Sequence, residues 1–268
     1  MWRKVKAADF LKSNLNRVFV RNAAKTAFET ETDAGDKRSE PVQRDASAPS
    51  IENPLKHKDY FNVHKLFTIK DLFDARVHYG HKEGTLNEHM LPYIFGSRLG
   101  VTIIDLNQTA LRLREALNFI AHVSFRDGII LFINANRQTS HIVEKTAMEC
   151  GQYSHCRKFN KMTFLNTTKY FGAITRLPDV CVFLSTHNNV FEEHAAISAA
   201  ACVLIPTVAI VDSNSDPTII TYPIPGNDDT PCAIELYCKL FKEAIILGRK
   251  KREEMLQKYG TIPMDIES

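Results

Sequence analysis

The chain has 268 residues, 44% of them apolar and 24% charged, which is enough core-forming material to exclude a wholly disordered or a fibrous protein. The 34 Lys and Arg face 31 Asp and Glu, and a net charge of +3 is too small to announce a nucleic-acid binder by itself. Six Cys with no C-x-x-C spacing exclude a disulfide framework, and the pairs Cys150/Cys156 and Cys232/Cys238 suit neither a zinc finger nor a redox dithiol, so they read as mostly buried, reduced thiols.

From Met1 to Phe28 there are seven basic residues and one acid, Asp9. On a helical wheel Ala8, Leu11, Leu15, Val18 and Phe19 gather opposite Arg3, Lys6, Arg17 and Arg21, the character of a mitochondrial transit segment. A basic tail that contacts RNA is the alternative. Residues 29–66 read as a disordered or extended arm, turn-rich through Pro41, Pro49 and Pro54. An α/β domain follows over 67–250, and 251–268 is the end of a helix and a tail.

Within the domain, Thr68-x-x-Asp71 is a capping-box signal for a short helix that Gly80 would close. Tyr93–Phe95 and Val101–Ile104 predict two strands of a hairpin, and Gln108–Ser124 keeps a helical period. Gly128–Ile133 is a continuous apolar run of the buried-strand type, followed by a helix through Ile142, Val143 and Cys150 that stops at Gly151. Strand Val180–Leu184, an Ala-rich helix near 191–203, strand Thr207–Val211, an extended run Thr218–Tyr222 and a helix over 231–258 complete the series. The uncharged run Ala195–Val211 is long enough to raise a membrane span, but Pro206 divides it into a helix and a strand, and a buried pair explains it without a bilayer. Strands apolar on both faces and separated by helices mean a parallel sheet covered on both sides, a doubly wound α/β domain.

Such folds bind nucleotides at the carboxyl ends of their strands. The turn after Ile133, Asn134–Ser140, contains no glycine and no Walker-type lysine, so it does not form a phosphate loop. Asp212–Asp216 opens like a calcium loop, yet Pro217 and Pro223 stand where Gly and Glu belong, and the two carboxylates read as turn braces. His78 and His81 could reach one metal, but no third ligand follows at a set distance, and no metal site is assigned. His155/Cys156 is poor evidence for a dyad. Asp228-Asp229 could be paired carboxylates for acid–base work; the stronger reading has Asp229 or Thr230 capping a helix with Pro231 at its first position.

The small net charge conceals a polarised chain. Residues 177–238 hold no Lys or Arg and eight acids, whereas 157–176 hold Arg157, Lys158, Lys161, Lys169 and Arg176 and no acid. Phe159, Phe164, Tyr170 and Phe171 are interleaved with those cations, a composition that suits RNA if the rings are exposed; the alternative is that the rings are core and the cations a solvated face. The acidic remainder is expected to face away from phosphate. Residues 239–258 add seven bases against three acids.

Seven motifs occur in order: Val77-His-Tyr-Gly-His81, Met90–Arg98, Ile103–Leu106 with Thr109, Leu177-Pro-Asp179, Ile205-Pro206, Ile210–Pro217 and Ile224–Asp229. Together they resemble the small-subunit ribosomal protein S2 family, from about 68 to 247. The resemblance implies a flavodoxin-like domain on the solvent side of the small subunit near the head–body junction, binding ribosomal RNA where messenger RNA leaves. It implies no catalysis, no cofactor, no small-molecule substrate and no membrane. Bacterial members carry a helical hairpin before the Leu-Pro-Asp motif; only a handful of residues separate Thr168 from Leu177, so that arm is absent. The short arm and the transit-like start resemble the animal mitochondrial branch, in the mitochondrial matrix, with 51–66 and the C-terminal basic helix meeting protein neighbours. Lys82, Arg98 and Arg137 carry over as RNA contacts; Arg157, Lys158, Lys161, Lys169 and Arg176 join them on the charge argument. An α/β enzyme taking a nucleotide or small acid through Asp212, Asp216 and Asp228, and an acidic-faced protein adaptor, are the competing readings.

Overall fold

The computed structural model describes residues 54–172, 176–189 and 192–259. The expected transit segment, most of the N-terminal arm and the last residues of the tail lie outside the described residues.

A five-stranded parallel sheet forms the frame: β4 (Ile130–Ile133), β5 (Tyr153–His155), β6 (Val180–Phe183), β9 (Thr207–Val211) and β10 (Tyr222–Pro225), in the spatial order β10-β9-β6-β4-β5. That is the flavodoxin-type order, which moves outward from β4 to β5 and then reverses across β4 to β6. Strand residues alternate between two cores. Ile130, Phe132, Val180, Val182, Val208 and Ile210 point to one, and Ile133, Cys181, Phe183, Ala209 and Val211 to the other. Burial on both faces explains why these strands read as unbroken apolar runs.

The first core is closed by α2 (Leu106–Phe125), α3 (Ser140–Glu149) and α6 (Pro231–Tyr259); the second by α5 (Ala195–Cys202) together with Met90, Phe159, Phe164 and Ile220. The uncharged run 195–211 is thus a buried helix feeding a central strand, and no helix among the described residues is long and apolar enough to cross a membrane. All six Cys are free, with Cys150, Cys181 and Cys238 buried.

A second, antiparallel sheet, β1-β3-β2, joins β1 (Tyr79–Lys82), β2 (Ile94–Arg98) and β3 (Val101–Ile104), and β7 (His187–Asn189) pairs antiparallel with β8 (Glu192–Glu193) in a two-stranded ribbon. The hairpin turns on Leu99 and Gly100, both at positive φ, tighter than the five-residue loop expected. The first helix, α1 (Ile69–Asp74), has the full Thr68/Asp71 capping box. It ends well before Gly80, which instead lies inside β1, where a side chain would collide with Thr102 Oγ1. Gly151, at φ 61°, follows α3 as expected.

Two boundaries differ from the sequence reading. Residues 54–66 are not an extended arm: they make 3-10 turns at Pro54–Lys56 and Val63–Lys65 and bury Phe61 and Val63 in the first core, with Phe61 against His122 and Phe125 of α2. The last strand begins at Tyr222 rather than ending there, because its Pro223 and Pro225 are tolerated on a sheet edge. Between α4 (Thr167–Phe171) and β6 only residues 172–179 remain, too few for a helical hairpin.

Candidate nucleic-acid interface at the strand ends

The strands β4, β5, β6, β9 and β10 all end on one side, and a cavity of about 900 Å³ opens there beside His81 of β1. It sits at the reversal of strand order between β4 and β6, the place where open α/β sheets receive ligands. One wall is cationic. Arg137 comes from the turn after β4, and Arg157 and Lys158 from the turn after β5. All three are exposed, and none makes an ion pair among the described residues. The turn carrying Arg137 is held by Asn134, whose side chain accepts from Asn136 N at 3.2 Å and donates to Thr139 Oγ1 at 2.9 Å. Side-chain hydrogen bonds therefore fix this glycine-free turn.

The opposite wall is acidic. Asp228, Asp229 and Glu192 line the same cavity, so the acids do not face away from the basic rim but stand across from it. Asp212 is buried, and its carboxylate accepts from His81 Nδ1 at 3.0 Å; Asp229 approaches His81 Nε2 at 3.4 Å. The Asp212 hydrogen bond, then the charges of Asp212, Asp229 and Asp228, hold the His81 pKa up at about 9 despite its burial. Burial first, then the neighbouring Asp212 and Asp229, push the Asp228 carboxyl well above the usual carboxylate range. The third ligand missing from the local sequence is supplied by the fold, with ligand atoms of His81, Asp212 and Asp229 all within 4.8 Å of one another. With His81 deprotonated this is a three-ligand set for a divalent cation; protonated, the imidazolium neutralises the carboxylates itself.

His78, the other histidine of the pair, is elsewhere, stacked on Phe73 with ring centroids 4.6 Å apart. Asp216 braces its turn through Thr218, as expected. Of the two capping candidates Thr230 stands at the head of α6, its carbonyl accepting from the amides of Ala233 and Ile234; the Asn227 side chain accepts from the amides of Asp229 and Thr230, and the Asp229 carboxylate faces His81 instead.

The remaining predicted contacts divide. Lys82 and Arg98 lie together on the small sheet, both opposite Val101. Lys161 and Lys169 are exposed beyond the cavity rim, and Arg176 is engaged with Asp179 at 2.7 Å. Phe159 and Phe164 are buried in the second core, so stacking of bases on them is excluded. Tyr170 is partly exposed, its hydroxyl accepting from Asn160 Nδ2 at 2.8 Å. Along α6, Lys242, Arg249, Lys251 and Arg252 are bonded to Glu149, Gly151 O, Glu254 and Phe125 O, which leaves Lys239, Lys250 and Lys258 for partners.

The model of the family described as ribosomal protein S2 matches residues 72–169 and 157–248. The bovine small ribosomal subunit protein uS2m is 54% identical over 211 residues, covering 79% of this chain and 72% of the relative. Small ribosomal subunit protein uS2 of Rickettsia bellii is 36% identical over 224 residues, 67% of this chain and 76% of the relative. Its counterpart in Rickettsia akari is 35% identical, with 67% and 75% covered.

Proposed function

Because the chain belongs to the ribosomal protein S2 family, we propose that its strand-end cationic rim is a contact to the ribosomal RNA of the mitochondrial small subunit. The protein is a structural constituent of that subunit, working in the mitochondrial matrix. Family membership and the glycine-free turn at 134–140 set aside the strand-end enzyme. Residues 1–28 serve as the targeting segment.

The observation that carries the RNA contact is the convergence of Arg137, Arg157 and Lys158 on one rim without acidic partners. Cations already paired inside the protein gain little from phosphate; unpaired ones release condensed counterions when they bind it. Arg137 and Arg157 can also present two parallel N–H groups to one phosphate in a fixed planar fork, a geometry that the Lys ammonium lacks. Lys161 and Lys169 extend the same contact, while Lys239, Lys250 and Lys258 on α6 and the segment 54–66 meet neighbouring proteins.

Gradient sedimentation of a mitochondrial lysate, with and without ribonuclease, tests the reading. Co-migration with the small subunit that is lost on RNA digestion is the expected result; a free pool with none in the subunit overturns it. Replacing Arg137, Arg157 and Lys158 by Gln should lower the salt slope of RNA binding by about one per lost phosphate contact.

A further inference from the structure

The small sheet β1-β3-β2 has one buried face and one open one. Thr102 and Ile104 of β3 are buried, so the alternate residues Val101 and Ile103 point outward. Directly opposed residues share a face, and the register places two rows on the open side. Lys82, Val101 and Arg98 form one; Tyr79, Ile103 and Gly96 form the other. Between Ile94 and Gly96 the register shifts, which makes Phe95 the extra residue of a bulge. The bulge turns its ring into solvent at 81% exposure, while Ile94 packs into the second core. Tyr79 is 47% exposed on the same sheet. Gly96 has open space where a side chain would stand, so the face beside Phe95 is unobstructed.

A bulge that buries Ile94 could have left a polar side chain outside; it presents an aromatic ring instead. Covering such a ring removes apolar surface from water, so a partner seated on this face gains by it. The flanking charges say which partner that is. Lys82 and Arg98 sit one strand apart on either side of Val101, and neither forms an ion pair among the described residues. Glu83 lies just past the end of β1, outside both rows.

We propose that this open face binds an unpaired stretch of RNA, with Phe95 and Tyr79 stacking on bases and Lys82 and Arg98 contacting the phosphates between them. Aromatic platforms flanked by cations favour single strands, because only unpaired bases offer a free ring face. The proposal rests on the ribosomal RNA reading above, but it assigns a different surface from the strand-end rim and a different form of RNA.

The test uses the full chain, titrated with a short oligouridine and with a duplex RNA carrying the same number of phosphates. Phe95→Ala should weaken oligouridine binding about tenfold while leaving duplex binding and the salt slope unchanged. Arg98→Gln and Lys82→Gln should each reduce the salt slope by about one. Phe95 is exposed, so an unchanged melting curve is expected and separates loss of binding from loss of fold. If the rim variants at Arg137, Arg157 and Lys158 abolish binding of both RNAs while Phe95→Ala has no effect on either, the sheet-face site is overturned and the rim reading stands. If the wild-type chain binds neither RNA and is absent from the subunit, the underlying reading fails. Normal RNA binding by Phe95→Ala with impaired incorporation into the subunit would mark the face as a protein interface and equally overturn the proposal.

Discussion

Gly226 lies directly beneath the hydroxyl of Tyr237: a Cβ built on Gly226 would fall inside the van der Waals radius of Tyr237 Oη. Tyr237 is fully buried on α6, and its hydroxyl has no hydrogen-bond partner among the described residues. Gly226→Ala should therefore destabilise the fold by about 2 kcal/mol through overpacking. Tyr237→Phe removes a buried, unpartnered hydroxyl and should be close to neutral. In the double variant most of the Gly226→Ala cost should disappear, since Val77 Cγ1 at 3.1 Å is then the nearest obstacle. Urea unfolding of the four proteins measures this coupling; additive costs would show that the hydroxyl is not what Gly226 makes room for.

Gly248 has the same logic at a helix crossing. A Cβ there would stand 2.5 Å from the Ala121 carbonyl oxygen and 3.0 Å from Ser124 Cβ, so α6 meets α2 backbone against backbone. Gly to Ala in a helix interior ordinarily stabilises by about 1 kcal/mol. Here the clash is with backbone, which cannot swing aside, and Gly248→Ala should destabilise by about 2 kcal/mol. The sign of the change in urea midpoint decides it.

His194 supplies a pH dependence. It is buried, its Nδ1 accepts from Ala196 N at the start of α5, and burial foremost pushes its pKa down to about 4 from 6.5. Between those values the unfolded chain takes up a proton that the folded chain refuses. Stability is complete above pH 6.5 and falls as pH drops toward 4, by up to about 3 kcal/mol. His155 and His187, also shifted down chiefly by burial, add in the same direction. His194→Asn can keep the cap without the titration, so its urea midpoint should vary less with pH across this window; an unchanged slope would remove His194 as the cause.

His81 compensates a buried carboxylate. Removing it in His81→Ala leaves Asp212 beside Asp228 and Asp229 with no imidazolium facing them. Stranding a buried charge costs about 3 kcal/mol in a closed site, and the partial exposure of His81 reduces that to about 2. His81→Ala Asp212→Asn should recover part of the loss in thermal unfolding. No recovery would mean that the pair is not the source of the cost.

The thiols should fall into two classes on alkylation of the native protein. Cys202 and Cys232 are exposed and should react first. Burial pushes Cys150 up to about 11 and Cys181 and Cys238 up to about 12, so these form little thiolate and are also inaccessible. Mass spectrometry should show the last three modified only in denaturant. Equal rates at Cys181 and Cys202 would contradict a closed second core.

What the sequence determined is what depends on neighbours along the chain. The apolar runs at 130–133, 180–183 and 207–211, spaced by helical periods, specify a parallel sheet covered on both faces, and Thr68/Asp71 and Gly151 mark helix ends by local hydrogen bonding and backbone geometry. The motif order carried the family without any coordinates. Tertiary structure alone decided which of these residues meet. Arg137, Arg157 and Lys158 share a rim because β4 and β5 are adjacent parallel strands ending on one side. His81 reaches Asp212 and Asp229 because β1 crosses near the ends of β9 and β10, and nothing in the spacing of 81, 212 and 229 encodes that. In the sequence the rings of Phe159 and Phe164 fit either base stacking or the core, and what decides is what packs above them, which is the sheet and α5. Phe95 is the converse case: a bulge, set by the pairing of β2 with β3, turned one residue of an apolar strand into solvent. Periodicity and capping act over one or two turns of chain, whereas proximity and exposure follow from strand order and register, which become definite only when the whole sheet has assembled.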